Sequence, residues 1–158
     1  MTSNYKIIKA EYNDLPEILI LQKKAFLPEA QFYNNFNTEP LIQTLQSIQD
    51  DFKNHLFLKA ISEDKKIIGS VKGSETDKVC WISRLIVNPD YQNKGIGRKL
   101  ISAIEKEFSA VNCYLLYTAA DNIKNISLYE SLGYKIHEEL MDDHIPNLKW
   151  VLMIKENH

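Results

Sequence analysis

The spacing of hydrophobic residues changes along the chain between the two-residue period of strands and the roughly 3.6-residue period of helices. Strand-like runs occupy residues 5–10, 55–61, 67–73, 79–87, 113–119, 134–138 and 148–154. The run at 79–87 is apolar on both faces except at Ser83 and Arg84, which predicts a central strand covered on both sides. Charged or polar turns at 63–66 and 76–78 connect neighbouring runs into an antiparallel meander.

The first helix is predicted from the signals at its start. Asn13 or Asp14 can cap it, and Pro16 lies in its first turn. Its apolar residues continue to Phe26. Residues 28–37 are aromatic and polar without a clear period, so the sequence predicts a loop there.

Three further helices complete the pattern. One is capped by Thr38, has Pro40 in its first turn, and has an apolar stripe of Leu41, Leu45 and Ile48. The next follows a glycine-containing segment, and its apolar face consists of Leu100, Ile101, Ile104 and Phe108. The last covers residues 122–132 and ends at Gly133. The order β-α-α-β-β-β-α-β-α-β-β combines hairpins with a strand–helix–strand crossover, which predicts one mixed α/β domain over residues 1–158.

Composition narrows the class of protein. The chain has 158 residues, of which 44% are hydrophobic and 25% are charged, as expected for one globular domain with a substantial core. A formal net charge of −2 argues against a dedicated nucleic-acid binder. No apolar run approaches the ~18 residues of a membrane span, and the first residues lack a signal-peptide core. We therefore expect a cytoplasmic protein that binds neither nucleic acid nor membrane.

The two cysteines and the histidines offer no obvious chemistry. Cys80 and Cys113 both fall inside predicted strands and do not form a CxxC motif. We expect both to be small buried hydrophobes rather than a disulfide or a nucleophile. The histidines are not clustered, so no metal site is expected.

The most informative segment is 84–98, where an apolar strand leads through a turn and a glycine-containing loop into an amphipathic helix. This order leaves backbone N–H groups free at a helix N-terminus beside Lys94 and Arg98, which is typical of a phosphate or pyrophosphate site. The GxxxxGK[ST] spacing of a P-loop is absent, and the third glycine of a dinucleotide fingerprint is missing. Residues 92–97 instead read Gln-x-x-Gly-x-Gly. The alternative is a strand–helix turn that binds no ligand.

Two motifs together resemble the GNAT superfamily of N-acetyltransferases. The first is Leu-Ile-Val-Asn-Pro-Asp-Tyr-Gln-Asn-Lys-Gly-Ile-Gly at residues 85–97, followed by Leu100 and Ile101. The second is Asn122 or Asn125, then Leu128-Tyr129-Glu130 and Leu132-Gly133-Tyr134. The resemblance covers nearly the whole chain. It implies a mixed, mostly antiparallel sheet of about six or seven strands flanked by about four helices, whose central strands 79–87 and 113–119 splay apart.

The resemblance also implies the reaction and how the donor is held. GNAT proteins transfer an acetyl group from acetyl-CoA, a cosubstrate, to a primary amine, here of a small molecule or peptide, without a metal. The loop amides grip the pyrophosphate, and the preceding strand pairs with the pantetheine arm. By match, the cofactor-binding residues are Leu85, Ile86, Val87, Gln92, Asn93, Lys94, Gly95, Ile96, Gly97 and Arg98, with Asn122 or Asn125 from the next helix. Because asparagine also caps helices, one of these two is alternatively the cap.

Tyr129 matches the usual general acid of the family, which lies close to the CoA sulfur. A thiol titrates near ~8.5 and a phenol near ~10, so complete proton transfer to the thiolate is uphill by about 2 kcal/mol. A hydrogen bond that stabilises the leaving thiolate is the better description, with the proton supplied by the attacking nitrogen. The alternative is that Tyr129 only packs against the sheet.

No general base is evident in the sequence. Many family members place a glutamate on the strand before the loop, whereas the matching stretch here reads Trp81-Ile82-Ser83-Arg84. Glu75 on the neighbouring hairpin, His55, Tyr117 and a water chain remain as alternatives. A charge in a central strand needs a partner or a wet cleft, so Arg84 either lines the acceptor site or pairs with a carboxylate such as Glu75. Arg84 and Glu75 are therefore the candidate substrate-binding residues.

The sequence does not identify the acceptor amine. In the family, the first helices and the loop before the last strand form the wall of the acceptor pocket. These segments here contain Phe32, Tyr33, Phe36 and the stretch 141–144, whose acidic pair either attracts a cationic amine or is a solvated loop charge.

Two other functions stay open at this stage. The missing strand carboxylate is consistent with a regulatory module that binds acyl-CoA without turnover. The same loop could also bind ATP or NAD. Self-association is common in the family, so a homodimer is an expectation as well.

Overall fold

The computed structural model of the chain, described over residues 4–158, is built on one seven-stranded sheet. Its strands are β1 Tyr5–Lys9, β2 Leu56–Ser62, β3 Ile67–Thr76, β4 Val79–Val87, β5 Cys113–Ala119, β6 Lys135–Met141 and β7 Lys149–Glu156. Its helices are α1 Leu15–Tyr33, α2 Glu39–Ile42, α3 Leu45–Asn54, α4 Ile96–Glu107 and α5 Ile123–Ser131. The strand order is β1-β2-β3-β4-β5-β7-β6. Among these neighbours β4 and β5 are parallel and the other pairs are antiparallel. The predicted mixed, mostly antiparallel sheet is confirmed.

Helices cover the sheet on both faces and create two buried clusters. Residues of α4 and α5 pack on one face against inward-facing side chains of β2 to β5 and β7. Residues of α1 and α3 pack on the other face around Phe57, Ile67 and Ile86. The apolar stripe of α4 is fully buried at Leu100, Ile101 and Ile104, so burial of this stripe anchors the helix that follows the glycine loop.

A bulge in β4 divides this strand into two halves that face differently. Ser83 lies opposite Lys72, and Ile86 lies opposite Ser70, so Arg84 and Leu85 together face the single residue between those two on β3. Arg84 adopts a positive φ of 54°, the left-handed conformation found at such bulges. Because the extra residue shifts the alternation, Ile82 belongs to the α4 cluster whereas Ile86 belongs to the α1 cluster.

The bulge coincides with the point where the sheet opens. β4 pairs with β5 only through Val79, Cys80 and Trp81, opposite Cys113, Tyr114 and Leu115. A bulge bends its strand and increases the local twist, so the C-terminal half of β4 turns away from β5. The splayed central strands implied by the family resemblance are therefore present.

The loop predicted at 28–37 is wrong for residues 28–33, because α1 continues through Pro28 to Tyr33, whereas residues 34–37 are irregular as predicted. A proline inside a helix removes its own N–H bond and crowds the carbonyl four residues earlier, and packing of the following turn can offset this cost. Here Ala30 in that turn is 2% exposed. The helix ends at Asn34, whose left-handed backbone (φ 50°) lets its N–H reach the carbonyls of Ala30 and Gln31.

The single helix predicted from Thr38 is two helices, α2 and α3. The chain becomes extended at Gln43, where ψ is 134°, and α3 restarts with the Thr44 hydroxyl accepting the Ser47 N–H. The Gln43 side chain is buried, and its amide bonds to Gln22 and to Asp51. This buried polar network fixes the break, and local propensity does not predict it.

Both cysteines are free thiols, and Cys80 is buried whereas Cys113 is half-buried. Burial, together with the nearby carboxylates Glu75 and Glu105, raises the pKa of the Cys80 thiol to about 12, which keeps it unreactive.

In the part of the chain that the structure describes, no helix is both long and apolar enough to span a bilayer. The predicted cytoplasmic location stays a prediction.

Candidate active site

A cavity of about 630 Å³ lies beside the half of β4 that β5 leaves unpaired. Its volume is within the usual range of ~300–1,000 Å³ for ligand sites. The β4 wall and the following loop contribute Leu85, Ile86, Val87, Tyr91, Gln92, Asn93, Gly95, Ile96, Gly97 and Arg98. The start of α5 contributes Asn122, Lys124, Asn125 and Leu128, and α1 contributes Ala25, Phe26, Pro28 and Glu29. The two sequence motifs therefore meet at one cavity, although Lys94, Tyr129, Arg84 and Glu75 are not among its lining residues.

The glycine loop presents backbone donors to this cavity. The turn after β4 is held by the Asn88 side chain, which accepts the Asp90 N–H at 2.9 Å. Gly95 is the N-cap of α4 with φ 80°, and it has no side chain to occupy the first N–H groups of the helix. The first intrahelical bond runs from the Lys99 N–H to the Gly95 carbonyl. The N–H groups of the first turn, residues 96–98, are consequently open to a ligand, and the helix dipole favours an anion there.

The space around the two loop glycines fits a bulky anion close to the backbone. A Cβ at Gly95 would meet nothing within 4 Å. A Cβ at Gly97 would lie 3.6 Å from Leu128 and 3.7 Å from Leu85, so it would enter the gap between β4 and α5. The positive φ of Gly95 itself favours glycine, whereas at Gly97 neither the backbone conformation nor a close contact requires it. The space beside both residues is open to a ligand that approaches the backbone.

The two asparagines at the start of α5 have different surroundings. The Asn122 side-chain oxygen accepts the Asn125 N–H at 3.1 Å, so Asn122 is the N-cap of the helix. The Asn125 side chain is half-buried in the cavity wall and forms no hydrogen bond to any described residue. Of the two, Asn125 has the free amide.

Basic side chains lie around the loop. The Arg98 guanidinium donates to the Ser131 hydroxyl at 2.7 Å, which ties α4 to α5. Lys94 lies over the ring of Tyr91, with its Nζ 5.5 Å from the ring centre. Lys124 also lines the cavity, although the sequence motifs did not single it out. A local basic patch therefore exists despite the net negative charge of the chain.

Tyr129 is one of the buried residues of α5 and is not among the residues that line the cavity. It is 5% exposed, and its ring lies edge-on to Tyr134 at 6.0 Å. Its hydroxyl forms no hydrogen bond to any described residue and is not among the fully enclosed unpartnered atoms, so the oxygen keeps access to open space. Burial raises the pKa of Tyr129 well above its ordinary value. Tyr129 is therefore a neutral hydrogen-bond donor at physiological pH.

Arg84 and Glu75 are not brought together. Glu75 lies opposite Cys80 in the hairpin register, and the four residue steps from Cys80 to Arg84 span ~13 Å of strand. Arg84 does pair with a carboxylate, which was one of the two expected alternatives, but its partner is Glu39 of α2 and not Glu75. The Arg84 Nε atom is enclosed and has no hydrogen-bond partner among the described residues. Glu75 is exposed near the β3–β4 turn, away from the cavity.

The other base candidates are also outside the cavity lining. His55 contacts the Asp51 carbonyl through Nδ1 at 2.9 Å. Tyr117 is 47% exposed and stacks on Trp81 with ring centres 5.8 Å apart. In residues 4–158, no group of three or more His, Cys, Asp or Glu side chains is arranged to hold a metal ion.

The family resemblance implied that the first helices form a pocket wall, but Glu29 was not singled out because residues 28–37 were expected to form a loop. Tyr33 at the end of α1 donates to Asp121 at 2.9 Å, and burial together with this carboxylate raises the pKa of Tyr33 to about 12. Lys24 lies 3.7 Å from Asp90 in the turn after β4. These contacts hold α1 against both neighbouring walls. Helical spacing from Ala25 to Glu29 to Tyr33 was the signal that could have placed Glu29 there.

Comparison with known proteins gives a consistent result. The model of the acetyltransferase (GNAT) family matches residues 21–134. N-acetylaspartate synthetase of Xenopus tropicalis is 37% identical over 97 residues, covering 56% of this chain and 34% of that protein. Spermidine N(1)-acetyltransferase of Escherichia coli K12 is 34% identical over 67 residues, covering 40% of this chain and 36% of that protein. The chain thus spans about a third of the length of these relatives.

A solved structure extends the likeness to the whole fold. Paia N-acetyltransferase from Thermoplasma acidophilum, in complex with coenzyme A, superimposes with a TM-score of 0.78 at 20% identity. The match covers 97% of this chain and 99% of that one. At this identity the likeness concerns the fold.

Proposed function

This chain belongs to the acetyltransferase (GNAT) family of acyltransferase enzymes, and we propose that it transfers the acetyl group of acetyl-CoA to a primary amine of a small molecule or peptide. One observation carries the proposal. The open N–H groups of α4 and the unpaired edge of β4 line the same cavity. A donor with an anionic pyrophosphate and a long amide-containing arm matches this combination.

The pyrophosphate is bound by the backbone N–H groups of residues 96–98, at the positive end of the α4 dipole. Arg98 and Lys124 add positive charge at the cavity wall. The pantetheine amides pair with the backbone at Leu85 to Val87, whose edge β5 leaves free. The free amide of Asn125 completes the donor site from the α5 side.

The chemistry requires a neutral amine, an activated carbonyl and a stabilised leaving group. The amine nitrogen attacks the thioester carbon, and a backbone N–H of β4 stabilises the negative charge on the carbonyl oxygen. The carbon–sulfur bond then breaks, and the Tyr129 hydroxyl donates a hydrogen bond to the thiolate. Since burial raises the pKa of Tyr129, the proton that finally reaches the sulfur comes from the amine nitrogen.

A regulatory module that binds acyl-CoA without turnover is the second candidate. The observation in its favour is the absence of a carboxylate on the stretch of β4 at residues 81–84. The two candidates predict the same affinity for acetyl-CoA and differ in the release of CoA.

The test is release of CoA thiol from acetyl-CoA in the presence of single amines. Spermidine, aspartate, n-butylamine and a peptide with a free N-terminus cover the acceptor types suggested by the named relatives and by the fold. Formation of CoA and acetylated amine in equal amounts, lost with heat-denatured protein, supports the enzyme. Acetyl-CoA binding without amine-dependent CoA release supports the module instead.

A further inference from the structure

One carboxylate faces the cavity without a partner. Glu29 on α1 is half-buried in the cavity wall, and it forms no hydrogen bond or ion pair with any described residue. A buried carboxylate is costly unless it is paired. Most other partly buried acidic groups near the core are paired, as Asp14 is with Lys59 and Asp51 with Lys72. Glu29 therefore differs from the structural carboxylates of the same fold.

The position of Glu29 is set by two fixed contacts of α1. The Tyr33 hydroxyl, one turn further along the helix, is bonded to Asp121 in the turn before α5. Lys24, on the preceding part of the helix, lies beside Asp90. These contacts connect α1 to the turn before α5 and to the turn after β4, and Glu29 between them lines the same cavity as Leu85 to Val87 and the start of α5.

We propose that Glu29 binds the ammonium group of the acceptor and removes its proton before attack, and this inference rests on the proposed acetyltransferase function. The stretch of β4 at residues 81–84 has no carboxylate. Glu29 is a carboxylate in the wall of the cavity that is proposed to bind the donor. Arg98 and Lys124 are the cations that line the same cavity. Tyr33, one turn along α1, interacts electrostatically with Glu29 and is hydrogen-bonded to Asp121.

The proton balance is complete without any other reactant. The carboxylate of Glu29 takes a proton from the ammonium, which leaves a neutral amine with a free electron pair. The carbon–nitrogen bond forms first, the carbon–sulfur bond then breaks, and the nitrogen's second proton moves to the sulfur to give CoA. Glu29 returns its proton to solvent. Burial raises the pKa of Glu29, which suits a carboxylate that must accept a proton near neutral pH.

The negative charge of Glu29 indicates the class of acceptor that the cavity would bind. An alkylammonium matches a carboxylate in a partly buried wall, and the neighbouring Asp121 carboxylate repels an acceptor that carries its own carboxylate near the amine. We therefore expect spermidine and n-butylamine to be better acceptors than aspartate.

The test compares Glu29→Gln with the wild-type protein. Glu107→Gln is the matched control, because Glu107 is at the surface, 3.7 Å from Lys9, and away from the cavity. Glu29→Asp retains the charge and checks for rescue. Two readouts are used, calorimetric titration of spermidine into protein saturated with CoA, and kcat/KM for acetylation of spermidine between pH 6 and pH 10.

The proposal predicts at least tenfold weaker spermidine binding by Glu29→Gln and a loss of about 100-fold or more in kcat/KM at neutral pH. The loss should shrink towards pH 10, where the amine is deprotonated in solution. Glu29→Asp should recover part of the activity, and all variants should bind acetyl-CoA as the wild type does. Equal spermidine affinity and rate in Glu29→Gln, or no spermidine binding to the wild type, would overturn the role of Glu29. Absence of acetyl-CoA binding to the wild type would instead overturn the proposed function itself.

Discussion

The side-chain oxygen of Asn122 accepts the backbone N–H of Asn125 at 3.1 Å, which assigns the two asparagines at the start of α5 to different tasks. Asn122 satisfies an open donor of the helix. Asn125 keeps its amide free in the cavity wall. The two residues are of the same type, but one caps the helix and the other has a free amide in the cavity wall.

This division predicts opposite effects of two alanine substitutions. Asn122→Ala should lower the free energy of unfolding by about 1 kcal/mol, since it removes a helix cap. Asn125→Ala should leave that free energy nearly unchanged and weaken acetyl-CoA binding about 2- to 10-fold, the value of one neutral hydrogen bond. Urea unfolding and calorimetric titration of acetyl-CoA measure the two effects. The assignment is wrong if Asn125→Ala destabilises the fold while binding is retained.

Substitutions at two buried tyrosines should likewise have different effects, one on the rate of catalysis and the other on the free energy of unfolding. Tyr129→Phe removes a hydroxyl without a protein partner, so the fold should be preserved. The kcat should fall about 10- to 100-fold, because a hydrogen bond to a charged leaving group contributes about 1.5–3 kcal/mol. Steady-state kinetics and thermal unfolding test both statements.

Tyr114→Phe is the matched control for that substitution. The Tyr114 hydroxyl donates to the carbonyls of Glu105 and Phe108, each at 3.0 Å. Its removal should cost about 1–2 kcal/mol of stability and leave kcat unchanged. Equal rates for Tyr129→Phe and wild type would show that Tyr129 only packs against the sheet.

The carboxyl group of Glu29 should make the free energy of unfolding depend on pH. Because burial raises its pKa, the folded protein retains this proton at pH values where the unfolded chain has lost it. Stability should therefore fall as the pH rises from the unfolded-state pKa through the folded-state pKa, and the loss should persist at neutral pH. Below both pKa values Glu29 contributes nothing.

The prediction is that Glu29→Gln unfolds at a higher temperature than the wild type at pH 7, and that the difference disappears at pH 3. Differential scanning calorimetry at the two pH values measures it, with Glu107→Gln as the control. A lower unfolding temperature for Glu29→Gln at pH 7 would mean that the carboxylate stabilises the fold through a contact.

The central strands and the loop were predictable because their signals are local. The predicted bounds 79–87 and 113–119 are those of β4 and β5, where continuous apolar runs leave little ambiguity. The Gln-x-x-Gly-x-Gly pattern likewise placed the start of α4 correctly. These elements contain the motif that resembles the family, which is why the family could be identified from the sequence.

The acceptor side was not predictable because tertiary contacts decide it. Pro28 is a helix-ending signal that packing overrides, and the true extent of α1 brings Glu29 to the cavity. The bulge at Arg84 has no sequence signature, since an arginine occupies a left-handed position usually given to glycine. The partner of Arg84 is Glu39, 45 residues away, whose position depends on the break between α2 and α3.

The central claim is that the N-terminus of α4 binds the pyrophosphate of acetyl-CoA, and calorimetric titration of acetyl-CoA into three proteins tests it most directly. The wild type, Gly95→Glu and Gly95→Gln are compared, with ATP titrated in parallel. Both variants place a side chain of the same size at the same positive φ, so their difference isolates the charge.

We expect micromolar binding of acetyl-CoA by the wild type and about 100-fold weaker binding by Gly95→Glu than by Gly95→Gln, because an added carboxylate ~5 Å from a phosphate costs about 3 kcal/mol. ATP should bind much more weakly than acetyl-CoA. Equal affinities in the two variants, or tight ATP binding without acetyl-CoA binding, would contradict the claim.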